Sequence, residues 1–140
     1  MGLRVARDVM ELLRAEADKS RHKECCGILL GTYLGAGSTI AAALPAANVH
    51  PRPQTHFEID PQALVNAHRA ARAGGPQVLG YYHSHPDGPP HPSATDRAEA
   101  AHDGTVWAIV APGEGAEHDV SFWRDDESGF TALPYAIDDG

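Results

Sequence analysis

The sequence predicts an α/β fold, a single domain with a curved mixed β-sheet flanked by helices, and three observations carry that expectation. Segments with helical spacing alternate with short apolar runs of strand length. The 14 glycines and 11 prolines fall between those segments, where turns belong. The chain has 140 residues, enough for one sizeable core, so residues 1–140 are read as a single domain.

Asp8 is placed to cap a first helix running to about Ser20, with Val9, Leu12, Leu13 and Ala17 at helical spacing. Gly27 to Tyr33 reads as a buried strand, and Ser38 to Leu44 as its neighbour across a Gly35–Gly37 turn. His56 to Ile59 is a short extended piece. Asp60-Pro61 then opens a second helix, with Asp as N-cap and Pro at the first position, and Gly74-Gly75 ends it. Val78 to His85 is the next strand. The loop from Pro86 to Pro92 leads into a third helix from Ser93 to about His102. Thr105 to Ala111, Val120 to Arg124 and Phe130 to Ile137 are the closing strands, with Asp125 to Gly129 as the turn between the last two.

Composition narrows the function classes. With 42% hydrophobic and 21% charged residues the chain is globular rather than disordered. A formal net charge of −8 argues against a nucleic-acid partner, although Arg69, Arg72 and Arg97 remain for a local basic patch. Apolar stretches such as Ile40 to Leu44 are far too short to span a bilayer, so no membrane association is expected. Met1-Gly2-Leu3-Arg4 begins no signal-peptide pattern. Cys25 and Cys26 are adjacent and have no further cysteines to pair with, which suits a reducing, cytoplasmic setting. They read as small buried hydrophobes rather than nucleophiles. Oligomeric state is not readable.

The chemistry concentrates in Tyr82-His83-Ser84-His85-Pro86 and Pro92-Ser93-Ala94-Thr95-Asp96. Residues two apart on a strand share a face, so His83 and His85 project together, and Pro86 ends the strand at a loop mouth. Asp96 falls in the first turn of the following helix, which the proline-rich loop can fold back over the strand end. Two imidazoles and a carboxylate suit Zn²⁺, and three protein ligands leave a fourth position for water, the mark of a catalytic site. Zinc lowers the pKa of bound water to roughly 7 and polarises a carbonyl. Glu24, just ahead of the first buried strand, is the candidate proton shuttle, and Ser93 a donor to the developing oxyanion. Each piece also has a plainer reading: an H-x-H pair is common, Ser93-x-x-Asp96 is a capping box in its own right, and Glu24 alone would be a solvated junction residue. Of the remaining histidines, taken as surface or loop residues, His91 is the one positioned to intrude on a metal.

Together, Glu24 and His83-Ser84-His85-x7-Ser93-x2-Asp96 resemble the JAMM (MPN-plus) metallopeptidase signature, E…H-[S/T]-H-x7-S-x2-D, with every position filled. Glu24-Cys25-Cys26-Gly27-Ile28-Leu29-Leu30-Gly31 is similar to a segment of the family's compact bacterial members. Asn48 and Phe57-Glu58-Ile59-Asp60-Pro61 resemble the stretch before its second helix. The resemblance runs from about Asp8 to Val110. It implies a JAMM/MPN-like fold, zinc held by His83, His85 and Asp96, proton transfer by Glu24 to the leaving amine, stabilisation of the tetrahedral intermediate by Ser93, and a supporting hydrogen bond from Ser84. It further implies a peptidase or isopeptidase cutting after the Gly-Gly tail of a ubiquitin-like or sulfur-carrier protein. The alternatives are a RadC-like member linked to DNA metabolism, a non-catalytic MPN scaffold, and a peptidase acting on cell-wall or phage-tail peptides. A zinc deaminase is set aside for want of a P-C-x-x-C motif.

Overall fold

The computed structural model describes residues 2–33, 37–113 and 118–139. Its strands are β1 (Leu3–Ala6), β2 (Cys26–Tyr33), β3 (Ser38–Ala46), β4 (Gln77–Ser84), β5 (Val106–Pro112), β6 (His118–Asp126), β7 (Gly129–Ala132) and β8 (Tyr135–Asp138). The helices are α1 (Arg7–Lys19), α2 (Pro61–Arg72) and α3 (Ala94–Glu99). All eight strands form one sheet in the order β7-β6-β5-β4-β2-β3-β1-β8. The sheet is mixed: β4 runs parallel to β5, and β1 parallel to both β3 and β8, while the other pairs are antiparallel.

That strand order forces curvature. Strands β7 and β8 lie at opposite ends of the order, yet only Leu133 and Pro134 separate them. A flat sheet of this width would span roughly 30 Å or more, whereas so short a connection reaches about 11 Å. The sheet therefore curls until its edges meet. Tyr135 packs edge to face on Phe122 with centroids 4.7 Å apart, joining β8 to β6.

Two apolar layers result. Helix α1 buries Val9, Met10, Leu13 and Ala17 against Leu29, Ile40, Tyr82, Ala108, Val110 and Phe122, inside the curl. Helix α2 covers the opposite face, where Ala63, Leu64 and Ala67 meet Cys26, Ile28 and Leu30. Alternation along β2 (Ile28 one way, Leu29 the other) is the period-2 geometry of a strand buried on both faces. No helix among the described residues is long and apolar enough to cross a membrane.

Most of the expected elements form, with boundaries shifted by a residue or two. Asp60 caps α2 as expected, accepting from the backbone N–H of Gln62, and Gly74 follows the helix at φ +101°. Asp8 does not cap α1: Ala6 occupies that position and Asp8 lies in the first turn, where its charge suits the helix dipole. β1 escaped sequence reading because its four residues are too short for a period to register. Helix α3 stops at Glu99 rather than near His102. His102 instead has φ 56°, and its N–H is taken by Asp125 Oδ2 at 3.0 Å. The expected strand Phe130–Ile137 is two strands, because Pro134 has no N–H for a ladder and the chain there changes sheet edges. Of His56–Ile59, Ile59 makes a single bridge, to Asn48. Gly35 of the expected Gly35–Gly37 turn lies outside the described residues.

Gly80 is where β4 and β5 approach most closely: a Cβ there would overlap the Val106 carbonyl oxygen. The three nearest atoms, Val106 O, C and N, all belong to backbone, so no side chain can yield. Gly80→Ala should destabilise the fold by about 2–3 kcal/mol or more, read from the urea midpoint at constant m-value. An unchanged midpoint would show that the strands separate freely.

Candidate metal centre

The end of β4 is held from both sides. His83 pairs with Cys26 on β2 and Ile109 on β5. Beyond it, Ser84 N donates to Cys25 O at 3.1 Å and His85 N to Val110 O at 2.8 Å. The Ser84 hydroxyl oxygen accepts from Cys25 N at 2.9 Å, tying the residue next to Glu24 to the strand between the two histidines.

Asp96 arrives from the other direction. The first turn of α3 carries a full capping box: Asp96 N donates to Ser93 Oγ at 3.0 Å, and Ser93 N donates to Asp96 Oδ2 at 2.9 Å. The cap fixes the carboxylate's direction, so the capping and ligand readings of this motif are compatible. His83 Nε2 lies 3.0 Å from Asp96 Oδ1, His85 Nε2 lies 3.0 Å from Asp96 Oδ2, and the two Nε2 atoms are 3.1 Å apart. All three residues are buried, with relative exposures of 0%, 6% and 3%.

The donor chemistry calls for a cation. His85 Nδ1 is 2.8 Å from the Pro89 carbonyl oxygen, which can only accept, so Nδ1 carries the proton. In a neutral ring, Nε2 then presents a lone pair to the Asp96 carboxylate and toward His83 Nε2. With both rings neutral and unprotonated at Nε2, as metal ligands are, lone pairs would face one another at about 3 Å, and a cation among them would relieve that repulsion. Two imidazole nitrogens and a carboxylate are a donor set that fits zinc. The His83 ring is positioned by packing: Phe57 stacks on it at 4.3 Å and 13°, and Trp107 meets it edge-on at 5.6 Å.

Burial and pairing set the protonation of these groups. Burial disfavours the Asp96 carboxylate, but hydrogen bonds from His83 and His85 outweigh it and hold the pKa well below the usual carboxylate range. Burial lowers the pKa of His83. At His85, burial is outweighed by the bonds to Asp96 and Pro89, and the pKa rises.

Glu24 is 6% exposed, and its Oε1 has no hydrogen-bond partner among the described residues. Burial pushes its pKa up to about 8, partly countered by His85. Its backbone is fixed by Glu24 N to Pro53 O at 2.7 Å and by Asn48. Asn48 Nδ2 donates to the carbonyls of Glu24 and His56, both at 2.9 Å, while its Oδ1 accepts from His50 N and Glu58 N. One amide thus joins Glu24 to the loop carrying Phe57. Ser93 Oγ, already an acceptor from Asp96 N, keeps its own proton to donate.

His83, His85 and Asp96 are therefore brought together, with Ser93 and Glu24 around them. His91 does not join them: it is exposed and packs edge-on against Trp123 at 5.9 Å. Cys26 is buried, with its thiol pushed up to about 12, as befits a packing residue. Sequence reading missed the Pro89 carbonyl and the Trp107 wall, and gave Asn48 no role. The Asn48 signal was present, a lone asparagine between two strand-like segments, but its partners lie across the fold.

A curled mixed sheet presents a buried His-His-Asp cluster at a strand end, the arrangement of a candidate metal-site domain. Residues 6–126 match the family described as prokaryotic homologs of the JAB domain, and the chain belongs to that family. The desampylase of Haloferax volcanii is 38% identical over 116 residues, covering 82% of this chain and 78% of that protein. A Thermus thermophilus protein named as a probable TtuB-protein conjugate cleaving protease is 38% identical over 98 residues, covering 70% of this chain and 63% of that one. A solution structure of a protein from Desulfitobacterium hafniense superposes with a TM-score of 0.87 at 25% identity, covering 99% of this chain and 94% of that one.

The buried carboxyl of Glu24 gives a pH signature in metal-free protein. Its pKa is higher in the fold, about 8, than the ordinary 4.5. Below both values the proton is bound in either state and no stability is at stake. As pH rises between them the unfolded chain releases the proton first, so stability falls, and above about 8 the loss levels off. Glu24→Gln is neutral throughout. Metal-free Glu24→Gln should therefore gain on metal-free wild type from pH 5 to pH 8, by on the order of a few kcal/mol. Urea titrations at several pH values check this; a pH-independent difference would show that Glu24 is not buried as described.

Proposed function

We propose that this protein, acting as one domain, is a zinc-dependent peptidase or isopeptidase. Its substrate bond follows the C-terminal Gly-Gly of a ubiquitin-like or sulfur-carrier protein. The observation that carries the reading is the convergence of the His83, His85 and Asp96 ligand atoms within 4.8 Å of one another, beside the buried carboxyl of Glu24, whose Oε1 has no hydrogen-bond partner among the described residues. The relatives named as a desampylase and as a conjugate cleaving protease support the substrate class.

His83, His85 and Asp96 would hold the metal. When bound, zinc supplies Lewis acidity, activating water and polarising a carbonyl. The rest falls to the chain. Glu24 takes a proton from the attacking water and returns it to the leaving nitrogen, a task suited to a carboxyl whose burial lifts its pKa toward neutrality. The Ser93 hydroxyl donates to the oxygen on which charge develops. Ser84 and Asn48 position the Glu24 backbone. Two free cysteines fit a cytoplasmic setting. The net charge of −8 favours a protein substrate over the nucleic-acid role of a RadC-like member. A complete donor set disfavours the scaffold reading.

The test pairs zinc content with cleavage of a sulfur carrier extended beyond its Gly-Gly. Near-stoichiometric zinc and chelator-sensitive trimming at that point are expected. Glu24→Gln should keep its zinc and lose about 100- to 10,000-fold in turnover, whereas His83→Ala should lose the metal. No zinc after reconstitution would overturn the enzyme reading, and wild-type turnover by Glu24→Gln would remove Glu24 from its role.

A further inference from the structure

Next to the metal-type cluster lies a cavity of about 380 Å³ whose walls include the rings of Phe57, Tyr81 and Trp107. Phe57 and Trp107 also pack on His83, so cavity and cluster share two walls. Every charged residue lining the cavity is acidic: Glu58, Glu99, Asp103 and Asp125. Two of these acids are engaged locally. Asp103 Oδ1 accepts from the backbone N–H and the hydroxyl of Thr105. Asp125 is fully buried, accepts from His102 N, and has His102 Nδ1 3.2 Å from its Oδ1. Glu58 and Glu99 are exposed at the rim and form no ion pair among the described residues. In the wall, the buried Trp107 Nε1–H has no acceptor among the described residues.

Aromatic walls with an acidic mouth are complementary to an apolar stem that ends in a cation. We propose that this cavity is a specificity subsite for an arginine or lysine side chain of the cleaved protein, within about three residues of the scissile bond. The position follows from the shared walls: Phe57 and Trp107 lie 4.3 and 5.6 Å from the His83 ring, centroid to centroid, and an extended chain advances roughly 3.4 Å per residue. The stem lies along the three rings, and the charge meets Glu58 and Glu99. Arginine is favoured over lysine because a planar guanidinium stacks on aromatic faces. This subsite deepens the peptidase reading and rests on it.

The probes are quenched fluorogenic peptides with a central Gly-Gly, carrying arginine or its neutral analogue citrulline at one of three positions on either side. At one position kcat/KM should favour arginine by about tenfold, with the preference shrinking as salt is added. The double variant Glu58→Gln, Glu99→Gln should erase the preference, bringing kcat/KM for the arginine peptide down to that for the citrulline peptide. Equal kcat/KM for both residues at every position would overturn the subsite and leave the peptidase reading standing. Binding of the same peptides to Glu24→Gln protein, followed by tryptophan fluorescence, gives a readout independent of turnover. Should no peptide be cleaved, arginine-selective binding that depends on Glu58 and Glu99 would support the cavity as a guanidinium site while counting against the peptidase reading that makes it a subsite. Unselective or absent binding would overturn the subsite.

Discussion

A buried carboxylate shared by two imidazoles fixes the geometry on which the rest of this site depends. Asp96 is 3% exposed, and its oxygens face His83, His85 and the Ser93 N–H. A charge so placed is tolerated only while its partners stay in reach, since an unpaired buried carboxylate is costly. The end of β4 and the start of α3 are therefore obliged to stay together, although an irregular loop joins them. That loop is constrained in turn. Pro89 O accepts from His85 Nδ1, and Pro90 O accepts from Ser121 Oγ at 2.6 Å, anchoring the loop to β6. The prolines narrow its unfolded conformations as well, so ordering it costs less entropy than a loop of freer residues would.

The two faces of the sheet carry different burdens. Inside the curl, α1 and residues such as Leu13, Tyr82, Val110 and Phe122 form a core with little polar content. On the α2 face the apolar layer is smaller, and next to it sit the buried histidines, Asp96 and Glu24. Glu24 is a group the fold would be more stable without at neutral pH, because burial opposes its charged form. Its backbone is held by bonds from Asn48 and to Pro53, while its Oε1 has no hydrogen-bond partner among the described residues. Such an arrangement leaves the carboxyl's proton affinity to be set by its surroundings, which is what a proton shuttle needs and a structural residue does not.

How much of this was legible in the sequence follows from what is local. His83, His85, Ser93 and Asp96 were readable because strand period and helix capping act over two or three residues. Asp60-Pro61 and Gly74 marked α2 for the same reason. What could not be read depends on strand order. Nothing near Trp107 indicates that it will stand against His83, because that contact follows from β5 pairing with β4 across an intervening helix. Nothing near Leu133-Pro134 shows that the chain there passes between the two edges of a curled sheet. β1 was missed, and α3 overextended, where side-chain patterns were too short or a distant group, Asp125, set the boundary.

The curl itself links core to chemistry. β4 and β5 lie side by side inside the curled sheet, and Gly80, without a side chain, leaves room for the Val106 carbonyl between them. The pairing brings Trp107 alongside Tyr81 in register, two residues before His83 meets Ile109 and three before Ser84 meets Val110. Residues that point to the α2 face from these two strands are thus drawn into one row, Tyr81 and His83 on β4 with Trp107 on β5, with Phe57 laid across it. The candidate metal cluster and the aromatic cavity beside it are two ends of that row. The proposed chemistry at one end and the proposed recognition at the other would be positioned by the same pair of parallel strands, with no separate insertion needed to place one relative to the other.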